Sequence, residues 1–115
     1  MKVLDEILEK IEEFFGFIPE IFKVLGDEPQ ILRAYYDKME SILSNDALPL
    51  VTKELIGVGA AVALGSEHCL QTHIKVARRL GASKDEILLA ILIGASMAES
   101  TALSKSLRIF KEENL

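Results

Sequence analysis

The residues with the most chemistry in this chain sit in one run, "SEHCLQTH", Ser66 to His73, which holds both histidines and the single cysteine. Thiolates rather than thiols attack electrophiles, and helix N-termini or neighbouring imidazolium groups favour the thiolate form. A helix opening after Ser66 would put Cys69 at its third position, among the amides that carry the positive end of the helix dipole. His73 comes four residues later, one turn on and on the same face, within reach of the sulfur directly or through a water. His68 lies one residue before Cys69. Nucleophile and base are then paired by helix geometry, and such a pair calls for a third group that orients the base.

Glu54 fits that third role by arithmetic. If the helices on either side of Gly65 fold back on each other, Glu54 stands ~16 Å from the turn, His73 ~12 Å and Cys69 ~6 Å, at 1.5 Å per residue. Glu54 is then level with His73 to within about one turn and too distant to touch Cys69. The expected relay runs carboxylate, imidazole, thiol. Ordinary packing accounts for the same residues without any reaction: a lone cysteine as a small hydrophobe, Glu54 as an acid complementing its own helix dipole, and two histidines as surface polar groups. A metal site is weaker, because His68 projects away from the Cys69/His73 pair and only Glu54 remains as a third ligand. No metal and no cofactor are expected.

The elements that must position these groups read as helix throughout. Val3, Leu4, Ile7, Leu8, Ile11, Phe14 and Phe15 keep the spacing of an amphipathic helix that Gly16 ends. A short helix follows from near Pro19 to Gly26, and another from Pro29 carries Ile31, Leu32, Tyr35, Met39, Ile42 and Leu43 before Asn45 and Asp46 break it. "PLVTKELIGVGAAVALG", from Pro49, is rich in glycine and alanine after Glu54 and reads as a central helix closely approached by its neighbours. Gly65 closes it, Ser66 is the expected N-cap of the next helix, and Gly81 ends that one. Ser83 and Glu86 spell a capping box that opens the last helix. This helix is apolar all round from Ile87 to Ala98 and turns amphipathic toward Phe110. A helix without a polar face has to be covered on every side. The expectation is an all-α fold: a small helical bundle with a central antiparallel helix pair, residues 1–115 forming one domain, packed into a ring-like homo-oligomer.

Composition bounds the partners. With 115 residues, half of them hydrophobic, and a formal net charge of −5, the chain suits a globular domain and offers no polyanion-binding surface. The densest basic cluster, Lys75 to Arg79, is spread along a helix, so no nucleic-acid partner is expected. A single cysteine rules out an intramolecular disulfide framework. The N-terminus lacks a continuous apolar signal core. The longest uncharged runs, Leu55 to Gly65 and Ile87 to Ala98, fall short of the ~20 residues of a membrane span. A cytoplasmic protein with no membrane partner is the expectation.

The segment from Glu54 to Ile87 resembles the carboxymuconolactone decarboxylase/alkylhydroperoxidase D-like family, all-helical proteins that assemble as trimers or hexamers. The redox branch carries a glutamate and then Cys-x-His-Cys-x-x-x-His. On this chain the glutamate matches Glu54, the first histidine His68, the second cysteine Cys69 and the last histidine His73. Ala77, Gly81, Glu86 and Ile87 match the run that follows. The first cysteine of that branch is Ser66 here, so the cycling dithiol pair is missing. The resemblance implies a peroxiredoxin-like oxidoreductase in which Cys69 reduces a hydroperoxide and an external thiol or thiol-carrying protein resolves the sulfenic acid.

The decarboxylase branch exerts a second pull, with "GREHEL…H" where this chain has "GSEHCLQTH". Gly65, Glu67, His68, Leu70 and His73 are common to both, and Cys69 takes the place of a carboxylate. In that reading the substrate is a lactone acid, and His68, His73 and Glu54 or Glu67 move protons without any cofactor. A third reading is a helical assembly protein without turnover.

Overall fold

The computed structural model describes residues 2–115, with side chains from Leu4 onward. The described residues form six helices: α1 Lys2–Phe15, α2 Glu20–Leu25, α3 Pro29–Leu43, α4 Leu50–Leu64, α5 Glu67–Arg79 and α6 Lys84–Glu112. No strand occurs among them. The chain divides into two compact units, Met1–Lys53 and Glu54–Leu115, and the boundary falls within α4.

The first unit is built on the apolar stripe of α1. Ile7, Ile11 and Phe15 are buried, as are Phe22 of α2 and Leu32 and Tyr36 of α3. Each such side chain contributes roughly 1.5–3 kcal/mol when fully removed from water. Phe22 links the elements through its ring, 6.1 Å from Phe15 and 5.7 Å from Tyr35 between centroids, the latter edge-on. Burial, and then the charge of Glu40, push the Tyr36 phenol above its ordinary pKa. Gly16 stops α1 in the left-handed region (φ 84°), its N–H donating to the Glu12 carbonyl. At the end of α3 the Lys53 ammonium donates to the carbonyls of Leu43, at 2.7 Å, and Asn45. A cation there satisfies carbonyls that the helix leaves open.

The second unit holds every residue singled out for chemistry. Its buried set is Glu54, Val58 and Ala61 on α4, Thr72, Val76 and Ala77 on α5, and Ile87 and Gly94 on α6. Glycine marks both helix ends that bring α4, α5 and α6 together. Gly65 (φ 71°) donates to the Val62 carbonyl while the Ser66 N–H reaches the Ala61 carbonyl. Gly81 (φ 99°) donates to Arg78 while the Ala82 N–H reaches Ala77. Both are Schellman turns, which need a residue that tolerates positive φ.

The helix starts differ. Ser83 and Glu86 form the expected capping box: the Ser83 hydroxyl accepts from the Glu86 N–H at 3.1 Å, and the Glu86 carboxylate accepts from the Ser83 N–H at 2.8 Å. The Ser83 backbone N–H, and then the Ser83 side chain, hold the Glu86 carboxyl below its usual pKa. Ser66 stands at the N-cap position of α5, but its hydroxyl accepts no helix N–H. Its ψ is 93°, against 162° at Ser83, and that rotation takes the hydroxyl away from the first-turn amides. The expected side-chain cap at Ser66 is therefore not made.

Helix α6 is the longest element, 29 residues, and runs past Phe110 to Glu112. Leu88, Leu89, Leu92, Ile93 and Met97 are each about half exposed, and every residue from Ala95 to Leu115 is exposed. An 18-residue window of this helix has a mean hydropathy of 1.7. By length and composition it can span a bilayer, since the helix continues through Glu99, where the uncharged run ends. The same composition equally suits a helix covered by other protein.

Candidate functional site

The rise arithmetic placed Glu54 and His73 on one level, and in the structure a hydrogen bond joins them. His73 Nδ1 lies 2.6 Å from Glu54 Oε2. The Glu54 side chain is only 3% exposed and that of His73 30%. If Glu54 is ionised it can only accept, so Nδ1 is then the donor. In a neutral ring that tautomer would leave the lone pair on Nε2, the nitrogen that could take a proton from a reacting group.

Two features of α4 and α5 create this contact. Glu54 lies in the second turn of α4, and α5 carries His73 on the stripe that also bears Val76 and Ala77. The second feature is Gly57, one turn after Glu54. A Cβ built at position 57 would stand 3.1 Å from His73 Cγ, 3.2 Å from Nδ1 and 3.4 Å from Cδ2. The imidazole therefore rests against bare backbone at Gly57 while Glu54 holds its edge. Gly57 read in the sequence only as one of several small residues for helix packing. Nothing local in the chain signals that a side chain from another helix occupies the space.

Cys69 is at the third position of α5, as the spacing predicts, and it is exposed. No hydrogen bond joins its sulfur to His73 among the described residues. Its exposure differs from the burial expected of a small core hydrophobe. Because Ser66 does not cap, the first-turn amides of Glu67, His68 and Cys69 have no side-chain acceptor from the N-cap. His68 and Glu67 are both exposed. The His68 carbonyl accepts from the buried Thr72 hydroxyl at 3.0 Å, which ties the turn carrying Cys69 to the turn carrying His73. The structure thus brings Glu54 and His73 into contact and leaves Cys69 and His68 accessible one turn away. Among the described residues no group of three or more His, Cys, Asp or Glu side chains is arranged to hold a metal ion.

Comparison with known proteins agrees with the family resemblance. Over 74 residues the chain is 34% identical to an uncharacterized protein of the cox locus of Paracoccus denitrificans, covering 62% of this chain and 67% of that protein. Over 77 residues it is 30% identical to an uncharacterized protein of Cupriavidus necator, covering 66% of this chain and 68% of that one. The family profile of the carboxymuconolactone decarboxylases matches residues 29–112, a span that includes α3 to α6 and all four candidate residues. On that match the chain belongs to the carboxymuconolactone decarboxylase family.

Proposed function

We propose that this protein is a thiol-dependent hydroperoxide reductase with Cys69 as its nucleophile, His73 as proton acceptor and donor, and Glu54 orienting His73. The observation that carries the reading is the 2.6 Å Glu54–His73 bond one helical turn from an exposed cysteine. His73 Nε2, freed by the bond at Nδ1, takes the thiol proton directly or through a water. The thiolate attacks the terminal oxygen of the hydroperoxide: an S–O bond forms, the O–O bond breaks, and the electron pair departs on the alkoxide. The imidazolium returns the proton to that alkoxide, giving the alcohol and a sulfenic acid on Cys69. The uncapped first-turn amides and the dipole of α5 support negative charge on the sulfur. His68, exposed on the preceding position, is a second hydrogen-bonding group for the peroxide or its leaving group.

Ser66 occupies the place of the resolving cysteine, so resolution comes from outside the chain. One external thiol displaces water from the sulfenic sulfur and forms a mixed disulfide. A second thiol attacks that bond, leaves as the oxidised disulfide and restores Cys69. Such reductants are abundant in the cytoplasm, where this reading places the protein. The half-exposed apolar side chains of α6 support a homo-oligomer, and the family resemblance suggests a trimeric or hexameric ring around the paired α4 and α5 helices.

The test is peroxide consumption by the full-length protein with a small-molecule thiol, comparing wild type with Cys69→Ser. Turnover is expected from wild type alone, and none from the serine variant. A second reading has one observation in its favour: the Glu54–His73 pair is complete without the sulfur. As a cofactor-free decarboxylase of a lactone acid, the protein would keep its activity in Cys69→Ser and lose it in His73→Ala. Wild-type protein that turns over neither substrate would leave only a helical assembly.

A further inference from the structure

We propose that Gly57 is a positioning residue for His73: the missing side chain at this one position admits the imidazole and lets Glu54 grip it. The inference deepens the peroxidase reading and, for its activity readout, rests on it. Glu54 and Gly57 are three residues apart on α4, so they share a face of the helix. On that face the carboxylate takes Nδ1 at 2.6 Å, and the Gly57 backbone abuts the ring. The three atoms nearest a Cβ at position 57 are all imidazole atoms, at 3.1–3.4 Å. Most real Cβ contacts are longer, so any L-residue here would push the ring away by a few tenths of an ångström. The ring cannot yield freely, because its Nδ1 is tied to a carboxylate that is itself almost fully buried. Displacement therefore comes at the expense of the Glu54 bond, and with it the tautomer that presents Nε2 as a base.

Glycine at this point is not explained by its own helix. In a helix interior it costs about 1 kcal/mol relative to alanine. Nor does a close backbone crossing account for it, as it does two residues on. There a Cβ on Gly59 would meet the Ala90 carbonyl of α6 at 3.1 Å. Gly57 makes room for a side chain, and that side chain is the proposed base.

The experiment compares wild type, Gly57→Ala and Gly59→Ala by imidazole ¹⁵N NMR and by peroxide turnover. Wild type is expected to show His73 as the Nδ1–H tautomer. Gly57→Ala is expected to keep its helical content, to lose that single tautomer, and to lose about a hundredfold in kcat with KM for peroxide unchanged, as misplacement of a reacting group does. Gly59→Ala is expected to keep the tautomer. Retention of tautomer and turnover in Gly57→Ala overturns the proposal, and so does equal loss in Gly59→Ala, which would mean a general distortion of α4. If Gly57→Ala does not fold, wild type decides: a nuclear Overhauser effect between the Gly57 Hα protons and His73 Hδ2 supports the contact, and its absence overturns it. A tautomer change in Gly57→Ala, with no peroxide turnover in any protein, supports the positioning role and sinks the peroxidase reading alone.

Discussion

Two glycines two residues apart on α4 meet different neighbours. Gly59 faces Gly94 on α6 so closely that a Cβ added to Gly94 would run into the Gly59 carbonyl oxygen. Gly57 faces the ring of His73 on α5. The first contact is backbone on backbone and has no room to relax. The second is backbone on a polar ring whose position is set by one hydrogen bond. One small-residue stretch thus does two jobs: it lets two helices cross, and it seats an imidazole. The first contact should be read in stability and the second in chemistry.

The largest stability effect expected from breaking this comparison is at the crossing. Gly94→Ala should destabilise the protein by about 2–3 kcal/mol, because overpacking against a fixed carbonyl outweighs the ~1 kcal/mol that alanine returns to the helix. Urea unfolding at fixed protein concentration measures it, and an unchanged midpoint would mean that the helices do not cross there. Next is the removal of the imidazole. His73→Ala leaves the Glu54 carboxylate buried without its donor, at about 1–3 kcal/mol. Replacing both, Glu54→Leu with His73→Ala, should recover much of that loss, since an orphaned charge is worse than an apolar pair. A double variant no more stable than the single one would show that Glu54 is satisfied by some other group. Gly57→Ala should move the unfolding midpoint less than either, while moving turnover more than Gly94→Ala does. The smallest effect is at the start of α6. The folded-state pKa of Glu86 is lowered by its bonds to Ser83, so its contribution is present above the ordinary carboxylate pKa and lost as pH falls through the folded value. The stability gap between wild type and Glu86→Gln should therefore close on acidification, and a gap constant with pH would contradict the capping box.

How much of this was legible in the residues follows from how local each feature is. The stops at Gly16, Gly65 and Gly81 were readable because positive φ belongs to glycine. The Ser83–Glu86 box was readable because both partners lie within one turn. The level of Glu54 with His73 came from a fixed rise per residue and a single turn between them. Ser66 shows the limit: the residue type suits a cap, but the backbone angle that decides whether the hydroxyl reaches an amide is not written in the type. The seat at Gly57 was hidden because it depends on how α5 lies against α4, a contact 16 residues away in the chain. Neither did the spacing reveal that Cys69 is exposed, since its stripe on α5 also carries the buried Val76 and Ala77. The apolar character of α6 was plain, and so was its amphipathic continuation toward Phe110, which the structure carries to Glu112.

The proposed function requires folding to make Cys69 reactive by placing it one turn from an imidazole held by Glu54. Its most direct test is the rate of Cys69 alkylation near neutral pH, for native protein, for the same chain unfolded in urea, and for native His73→Ala. The expected order is native fastest, with both the unfolded chain and the His73→Ala variant slower by about tenfold or more. Native protein that reacts no faster than the unfolded chain would contradict the account.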